Sequence, residues 1–420
     1  MRKPAADKLM QRVGVAVVTG AVLLSQVPAQ ATASEAGSSA APQTASQASA
    51  QSEPQQQSDS ANPPEPPSGG VATDRGGGNI SVDGGTISIE GSGSPIVYST
   101  GDIKVSDVTG TASESQLVGM EGLKTVLIRN STLSSSQTGK TASDPVADGV
   151  IIYQSTSGDA ESTTGEAATF QAVDSKLSSA IQSGSMFYLT NTSADVVLKN
   201  TELDFASSAA RLLYAAGNDA NNWGQAGSNG ATVKFTGIGQ QLAGDIVADT
   251  ISSVDLHLTE GTTWAGAASI EQNAAGSTSD APMTVNIDGS SQWTVTADST
   301  VSSLNVAEGA KVVDADGKTV TIVAGGQTVV QGGSGLTVTV TGSYSTDYDA
   351  SEAGSLTSEA IDRTAYDDAF GTDVDDASSD EKGAASQAST ASDTDSGSSS
   401  DAEKGFFAQV VDWLKSLFGM

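Results

Sequence analysis

The sequence predicts an all-β protein: a right-handed parallel β-helix (solenoid) flanked by disordered linkers, with a short amphipathic helix near the C-terminus. Three observations predict this fold class. A short strand template recurs along the middle of the chain, Asp, Asn or Gly residues close its copies, and loops of very different length separate them. Repetition of this kind is typical of stacked repeat architectures.

The template is an apolar residue, an outward residue, a second apolar residue, any residue and then a turn residue. Its copies are Ile87/Ile89 with Gly91, Ile103/Val105 with Asp107, Val126/Ile128 with Asn130, Phe170/Ala172 with Asp174, Val196/Leu198 with Asn200, Val233/Phe235 with Gly237, Leu256/Leu258 with Glu260-Gly261, Val285/Ile287 with Gly289, and Leu304/Val306 with Glu308-Gly309. Period-two alternation predicts half-buried strands. Asp, Asn and Gly tolerate left-handed backbone, so each strand is expected to end at a corner.

A second series of strands precedes several of these copies. Each has two apolar residues followed by Tyr: Tyr98, Tyr153, Tyr188 and Tyr214. Variable loops between constant strands favour a solenoid over residues 77–343, because an insertion bulges from one corner and leaves the stack intact. The alternative is a β-sandwich, which the scarcity of Asn-Gly and Asp-Gly hairpin pairs disfavours.

The N-terminal segment, residues 1–31, has the pattern of a secretory signal peptide. Basic residues precede the short apolar run 13–24, and small residues follow it up to Ala31. The alternative is a buried N-terminal helix. A signal peptide predicts that the protein is secreted or held at the cell surface.

The segments that flank the predicted solenoid are polar and of low complexity. Residues 32–76 are rich in Ala, Ser, Gln and Pro and are expected to form a disordered linker. Residues 344–371 are expected to hold the exit from the β-helix and a short helix. Residues 372–401 form an acidic Ser/Asp/Ala tract that is expected to be disordered.

Composition excludes several kinds of site. The 420-residue chain has a net charge of −31, no Cys and one His. Disulfides and thiolate metal sites are therefore excluded, and nucleic acid is not expected as a partner. His257 falls in the outward column of its strand and is expected at the surface. Asp314 opens the sequence "DADG", which predicts a β-turn, with an incomplete calcium loop as the alternative. No cofactor or metal is predicted.

Three segments near the end of the predicted solenoid match position for position: "LHLTEGTTW" (256–264), "VNIDGSSQW" (285–293) and "LNVAEGAKV" (304–312). The stretch 291–312 resembles the junction motif of autotransporter passenger domains, which are pertactin-like right-handed β-helices. The chain is also similar to bacterial secreted adhesin-like β-helix proteins. After residue 343 it lacks the strand pattern of the barrel domain that follows such passengers. The resemblance implies surface exposure and adhesion.

Two Trp residues are the candidate glycan contacts. Trp264 and Trp293 have the same offset in their repeats. They are expected to stack, either as aromatic packing in the core or as a platform for a sugar ring.

The sequence favours binding over catalysis. Glycoside hydrolysis requires two carboxylates across one cleft, and no such pair with a neighbouring Arg or His stands out. We therefore expect a non-catalytic adhesin-like or stalk protein whose surface ligand is a glycan or a protein. The alternative is a carbohydrate-binding or polysaccharide-degrading β-helix of the lyase or hydrolase type.

Residues 402–420 predict an amphipathic helix. Its apolar face consists of Phe406, Phe407, Val410, Val411, Trp413, Leu414, Leu417 and Phe418. A short helix of this kind needs a cover for that face. A membrane surface, a partner or second copy, and an end of the solenoid are the three alternatives, and the helix is a candidate attachment device.

Overall fold

A computed structural model describes residues 71–72, 79–155, 167–220 and 223–357, and it is essentially all-β. The first nine strands are β1 (Val71–Ala72), β2 (Asn79–Ile89), β3 (Val97–Ser99), β4 (Asp102–Ala112), β5 (Val118–Glu121), β6 (Thr125–Arg129), β7 (Thr132–Ser135), β8 (Asp148–Tyr153) and β9 (Ala168–Val173). The next nine are β10 (Lys176–Ser179), β11 (Ser185–Thr190), β12 (Thr192–Lys199), β13 (Glu202–Asp204), β14 (Arg211–Ala215), β15 (Ala231–Ile238), β16 (Gln241–Ala243), β17 (Ile246–Asp249) and β18 (Ser253–Thr259). The last nine are β19 (Thr263–Gly266), β20 (Ala268–Glu271), β21 (Met283–Ile287), β22 (Gln292–Val295), β23 (Ser299–Val306), β24 (Lys311–Val313), β25 (Thr321–Ala324), β26 (Gln327–Val330) and β27 (Thr337–Ser345).

The strands form three sheets of eight, fifteen and four strands. Sheet A has the order β1-β3-β5-β8-β11-β14-β17-β20. Sheet B contains the series β4-β6-β9-β12-β15-β18-β21-β23-β27 together with β2, β7, β10, β13, β25 and β26. Sheet C has the order β16-β19-β22-β24. Among the described strands only β25 and β26 pair antiparallel. Because the chain visits the sheets in turn and returns parallel to its previous pass, the arrangement is compatible with a β-helix-like solenoid.

Six of the nine expected corners have left-handed backbone, whereas Gly91, Gly237 and Gly289 do not. Asp107 has φ 56°, Asn130 46°, Asp174 49°, Asn200 46° and Glu260 55°. The Asn200 amide also donates from Nδ2 to Asp174 Oδ1 at 2.6 Å, which links two neighbouring corners. Short polar side chains tolerate this conformation and hydrogen-bond locally, so these residues end the strands where the chain must turn.

Inward side chains of the three sheets form one hydrophobic core. At its centre Phe187 packs edge-on against Phe170 and Phe235, with ring centroids 5.8 Å and 5.5 Å away. All three rings are completely buried. Burial of a side chain of this size contributes about 1.5–3 kcal/mol to folding, and edge-to-face rings pack with favourable quadrupoles.

The three matching C-terminal segments lie in register on neighbouring strands. Leu256 pairs with Val285, and Val285 pairs with Leu304. Trp264 pairs with Trp293 on the neighbouring sheet. The position-for-position match therefore reflects direct stacking of one repeat on the next.

Two copies of the template stack differently from the sequence prediction. Ile87 and Ile89 pair with Gly110 and Ala112, because Ile80 and Val82 are the residues that pair with Ile103 and Val105. We expected Val233/Phe235 to align with Leu256/Leu258, but Val233 pairs with Val254 and Phe235 with Leu256. Lys234 therefore neighbours Asp255 instead of His257. A shift of two residues keeps every side chain on the same face, so alternation alone does not reveal it.

The ends of the described region differ in detail from the predicted boundaries. Val71–Ala72, inside the predicted linker, form a strand because Val71 is nearly buried and its N–H donates to Ile96 O at 2.9 Å. In the described part of the predicted exit segment, residues 344–357, a 3-10 turn at Ala350–Glu352 is capped by Asp349; residues 358–371 lie outside the described residues. The predicted signal peptide (1–31), the acidic tract (372–401) and the amphipathic helix (402–420) lie outside the described residues.

Candidate functional site

After β27 the chain turns back across the outer face of sheet B. We call residues 346–357 the strap. Gly354 N donates to Thr236 Oγ1 of β15 at 2.9 Å, and Thr357 N donates to Gln171 Oε1 of β9 at 3.0 Å. Gln171 Nε2 donates in turn to Ser355 O at 3.1 Å. The strap therefore runs across successive strands and ties them together.

The strap buries His257, so the prediction of a surface histidine was wrong. His257 is 1% exposed, and its Nδ1 lies 3.2 Å from the hydroxyl oxygen of Tyr348. The same covered column contains Leu127 and Val197, both 1% exposed. In the sequence, Leu127 and Val197 are the two apolar exceptions among residues that lie between the paired apolar positions of the template and are otherwise mostly polar. They were the sequence signal that this face has a cover.

A groove of about 650 Å³ lies beside the strap on the outer face of sheet B. Its floor comes from strands β12, β15, β18 and β21, and one wall comes from the strap. The lining includes Asp195, Lys234, Asp255, His257, Thr284, Asn286 and Asn305 on the sheet, Asp347, Tyr348, Asp349 and Glu352 on the strap, and also Ala167 and Ala281. The volume is within the range usual for ligand sites.

The floor of the groove is a ladder of polar side chains in register. Asp195 pairs with Lys234, Lys234 with Asp255, and Asp255 with Thr284. Neighbouring strands place these side chains about 4.8 Å apart on one face. Sequence reasoning missed this ladder because it placed Lys234 two positions away from Asp255.

A hydrogen-bonded network holds one end of the groove. Asn286 Nδ2 donates to Asp255 Oδ1 at 2.7 Å, and Asn305 Nδ2 donates to Asn286 Oδ1 at 2.7 Å. His257 Nε2 lies 3.1 Å from Asp255 Oδ2. Burial favours a higher pKa for Asp255, but His257, Asn286 and Lys234 outweigh it and hold the pKa below its usual value. The Asp255 side chain is therefore a fixed carboxylate at neutral pH.

The groove shows a feature unfavourable to acid catalysis. Asp349 accepts hydrogen bonds from Ser351 N and Oγ, which lower its pKa. The pKa of Asp255 is also lowered. A glycosidase needs a carboxyl group that stays protonated as general acid, and neither of these two has that property.

The structure places Trp264 and Trp293 in the core. Their rings stack with centroids 4.7 Å apart and planes 11° apart, and both side chains are 0% exposed. Trp264 Nε1 donates to Gly244 O and Trp293 Nε1 to Gly266 O, each at 2.9 Å. The expected stacking is present, but neither ring face is open to solvent. We therefore propose no glycan contact for this pair.

The Tyr residues lie on the outer face of sheet A. Tyr188 pairs with Tyr214, and their ring centroids are 5.7 Å apart. Tyr153 lies two positions further along its strand, where it pairs with Thr190 and packs against Trp223, with ring centroids 4.4 Å apart and planes tilted by 47°. The residues after β14 thus cover part of this face, and the Tyr side chains contribute mainly to packing.

A buried carboxyl pair, Asp144 and Asp148, lies near the start of β8. Both are at most 6% exposed, and Gln116 Nε2 donates to Asp144 Oδ2 at 3.2 Å. Neither carboxyl oxygen of Asp148 meets a donor among the described residues. Burial raises the pKa of Asp144 to about 7, and burial together with Asp144 raises that of Asp148 well above its usual value. When Asp148 keeps its proton, its hydroxyl group donates a hydrogen bond to Asp144, and both buried carboxyl groups then have a partner.

No group of three or more His, Asp or Glu in the described part of the chain is placed to hold a metal ion. Asp314 Oδ1 accepts from the N–H groups of Asp316 and Lys318, and Gly317 has φ 76°. The "DADG" sequence therefore forms a turn closed by its own backbone.

Comparison with known proteins does not assign the chain to a family. No protein-family model matches it, and no curated protein or solved structure is detectably similar to it. Within residues 71–72, 79–155, 167–220 and 223–357, no helix is long and apolar enough to span a membrane. The candidate attachment residues Phe406, Phe407, Val410, Trp413, Leu414, Leu417 and Phe418 lie outside the described residues.

Proposed function

We propose that this protein is a secreted or surface-displayed, non-catalytic binding protein, adhesin-like in role and built on a right-handed parallel β-helix. The observation that supports a binding role most directly is the groove beside the strap, whose floor is a ladder of polar side chains. Parallel strands joined through other sheets almost always connect with a right-handed turn, which supports the proposed handedness.

Two features of the sequence support the surface location. Residues 1–31 have the pattern of a signal peptide, and the segment 291–312 resembles the junction of autotransporter passenger domains. The net charge of −31 favours solubility of the chain.

The charge state of two carboxyl groups in the groove favours binding over catalysis. Its two carboxyl groups with shifted pKa, Asp255 and Asp349, are both held as carboxylates. Carboxylates accept hydrogen bonds from a ligand, whereas a general acid has to donate a proton. This supports a site that binds without cleaving.

A polysaccharide-degrading β-helix is the second candidate, and one observation favours it. The groove brings Asp195 and Asp255 on the sheet together with Asp347 and Glu352 on the strap, as an acidic cleft in a glycan-cleaving enzyme would.

The experiment that separates the two candidates measures binding and product formation together. Full-length protein is applied to arrays of immobilised glycans and surface proteins and is incubated separately with soluble polysaccharides, with heat-unfolded protein as the control. We expect saturable binding without new reducing ends or unsaturated products. Product formation that is lost in Asp255→Asn would favour the enzyme, and absence of binding to every probe would reject the proposed function.

A further inference from the structure

The floor of the groove alternates between hydrogen-bond acceptors and donors. Asp195 accepts, Lys234 donates, Asp255 accepts and Thr284 does both, and the four lie in register on successive strands. A ligand that lies across the strands therefore meets a different kind of partner at each strand, at intervals of about 4.8 Å.

Two members of this ladder are available to a ligand. Asp195 and Lys234 are half-buried, and neither makes a side-chain hydrogen bond or ion pair with a described residue. Asp255 differs, because Asn286 and His257 already hold its two oxygens. The groove thus presents one carboxylate and one ammonium that neighbour each other across the sheet and form no close ion pair with a described residue.

The charges of the groove disfavour an anionic ligand. Lys234 lies between the carboxylates of Asp195 and Asp255 and can donate to a hydroxyl group. The carboxylates on either side, with Asp347 and Glu352 nearby, repel an anionic ligand. Hydroxyl groups both donate and accept, so a neutral polyhydroxylated molecule satisfies every position.

The walls suit the apolar faces of such a molecule. Tyr348 lines the groove from the strap, with its hydroxyl directed to His257 and its ring half-exposed. Ala167 and Ala281 also line the groove. A fixed aromatic ring with an apolar body packs well against the C–H face of a sugar ring.

We propose that the groove binds a neutral oligosaccharide that lies across strands β12, β15, β18 and β21. Asp195 and Lys234 hydrogen-bond its hydroxyl groups, and Tyr348 packs against one of its rings. This inference rests on the proposed function and names the ligand class of the same site.

The test compares three probe sets on full-length protein by titration calorimetry. The probes are neutral di- to hexasaccharides of glucose, galactose, mannose and N-acetylglucosamine, oligosaccharides that contain uronic acid, and an oligolysine peptide. The variants are Lys234→Gln and Asp195→Asn, with Lys199→Gln as the matched control, because Lys199 is exposed on β12 outside the groove. Circular dichroism melting verifies that each variant is folded.

We expect a neutral oligosaccharide to bind and each groove variant to raise its Kd about tenfold, as loss of a charged hydrogen bond implies. Lys199→Gln should bind as the wild type does. Equal binding by all variants would overturn the groove as the site and leave the proposed function standing. Groove-dependent binding of the uronic acid probes or of oligolysine would overturn the ligand class. Absence of binding to every probe, including the arrays above, would reject both the inference and the proposed function.

Discussion

The imidazole Nδ1 of His257 lies 3.2 Å from the phenolic oxygen of Tyr348, a residue 91 positions further along the chain. This contact joins the strap to β18 and forms one side of the groove. It turns the outer face of sheet B from a plain polar surface into a partly covered one.

Loss of the strap contact should lower stability. Tyr348→Phe removes one hydrogen bond and should cost about 1 kcal/mol of the free energy of unfolding. Tyr348→Ala should cost more, because the covered face also gains water. Urea denaturation measures both, with Lys199→Gln as the control. Equal stability of all three variants would show that the strap does not hold this face.

The close approach of Gly354 to sheet B gives a second test of how the strap packs on this face. A Cβ at this position would lie 2.9 Å from Val197 Cγ2 and 3.0 Å from Thr236 Oγ1. Gly354→Val should therefore lift the strap and cost about 1–3 kcal/mol, as overpacking does. Hydrogen exchange at the Gly354 segment should become faster, whereas Gly333→Val, with open space around it, should leave that exchange unchanged.

The carboxyl pair predicts how stability depends on pH. The raised pKa values of Asp144 and Asp148 mean that the folded state holds more protons than the unfolded chain above pH 3.8. The contribution of these two protonated groups to the free energy of unfolding is thus fully present below that pH. It is lost as pH rises through about 7.

Asp148→Asn replaces the buried carboxyl group with an amide, which is uncharged at every pH and needs no bound proton. The stability of this variant relative to wild type should increase as pH rises from about 4 to 8. Urea denaturation across this pH range gives the difference, and other carboxyl groups cancel because both proteins share them. A difference that is constant with pH would contradict a protonated pair.

A charged side chain placed on the inward face of a strand should destabilise the folded protein. Ile287 is completely buried in the core of β21, so Ile287→Asp should cost several kcal/mol because no partner is available for the charge. Ser88→Asp changes an exposed outward residue and should have a small effect. A melting temperature of Ile287→Asp equal to that of the wild type would mean that this side chain is not in the core.

The C-terminal segment gives the fifth prediction. If residues 402–420 form the attachment helix, full-length protein should float with liposomes or fractionate with cell surfaces, whereas a chain that ends at Ser400 should not. Trp413→Ser within the full chain changes one residue of the apolar face and should weaken the attachment in the same direction. Identical distribution of the full and shortened chains would show that this segment is not the attachment device.

Much of the fold followed from local pattern. Alternation predicted the strands that contain Val196, Leu256 and Ile287, and all three side chains are buried. The turn residues Asp107, Asn130 and Asn200 have the left-handed backbone that was expected. Both properties depend on a residue and its near neighbours, so sequence reasoning reaches them.

Register was harder to predict. The copy with Val233 and Phe235 stacks two residues away from its predicted position, because a shift of two preserves the inward and outward faces. This shift placed Lys234 beside Asp255, and it is the reason the polar ladder was missed.

By itself the sequence determined most of the inward-facing apolar residues and several of the corners where strands end, because these depend on alternation and on the backbone preferences of single residues. Only the tertiary structure decided that His257 is buried and that the stacked Trp264 and Trp293 lie inside the core. The physical reason is that the surroundings of these side chains come from distant segments. The strap that covers His257 begins after β27, and nothing in the local pattern around His257 specifies where that segment packs.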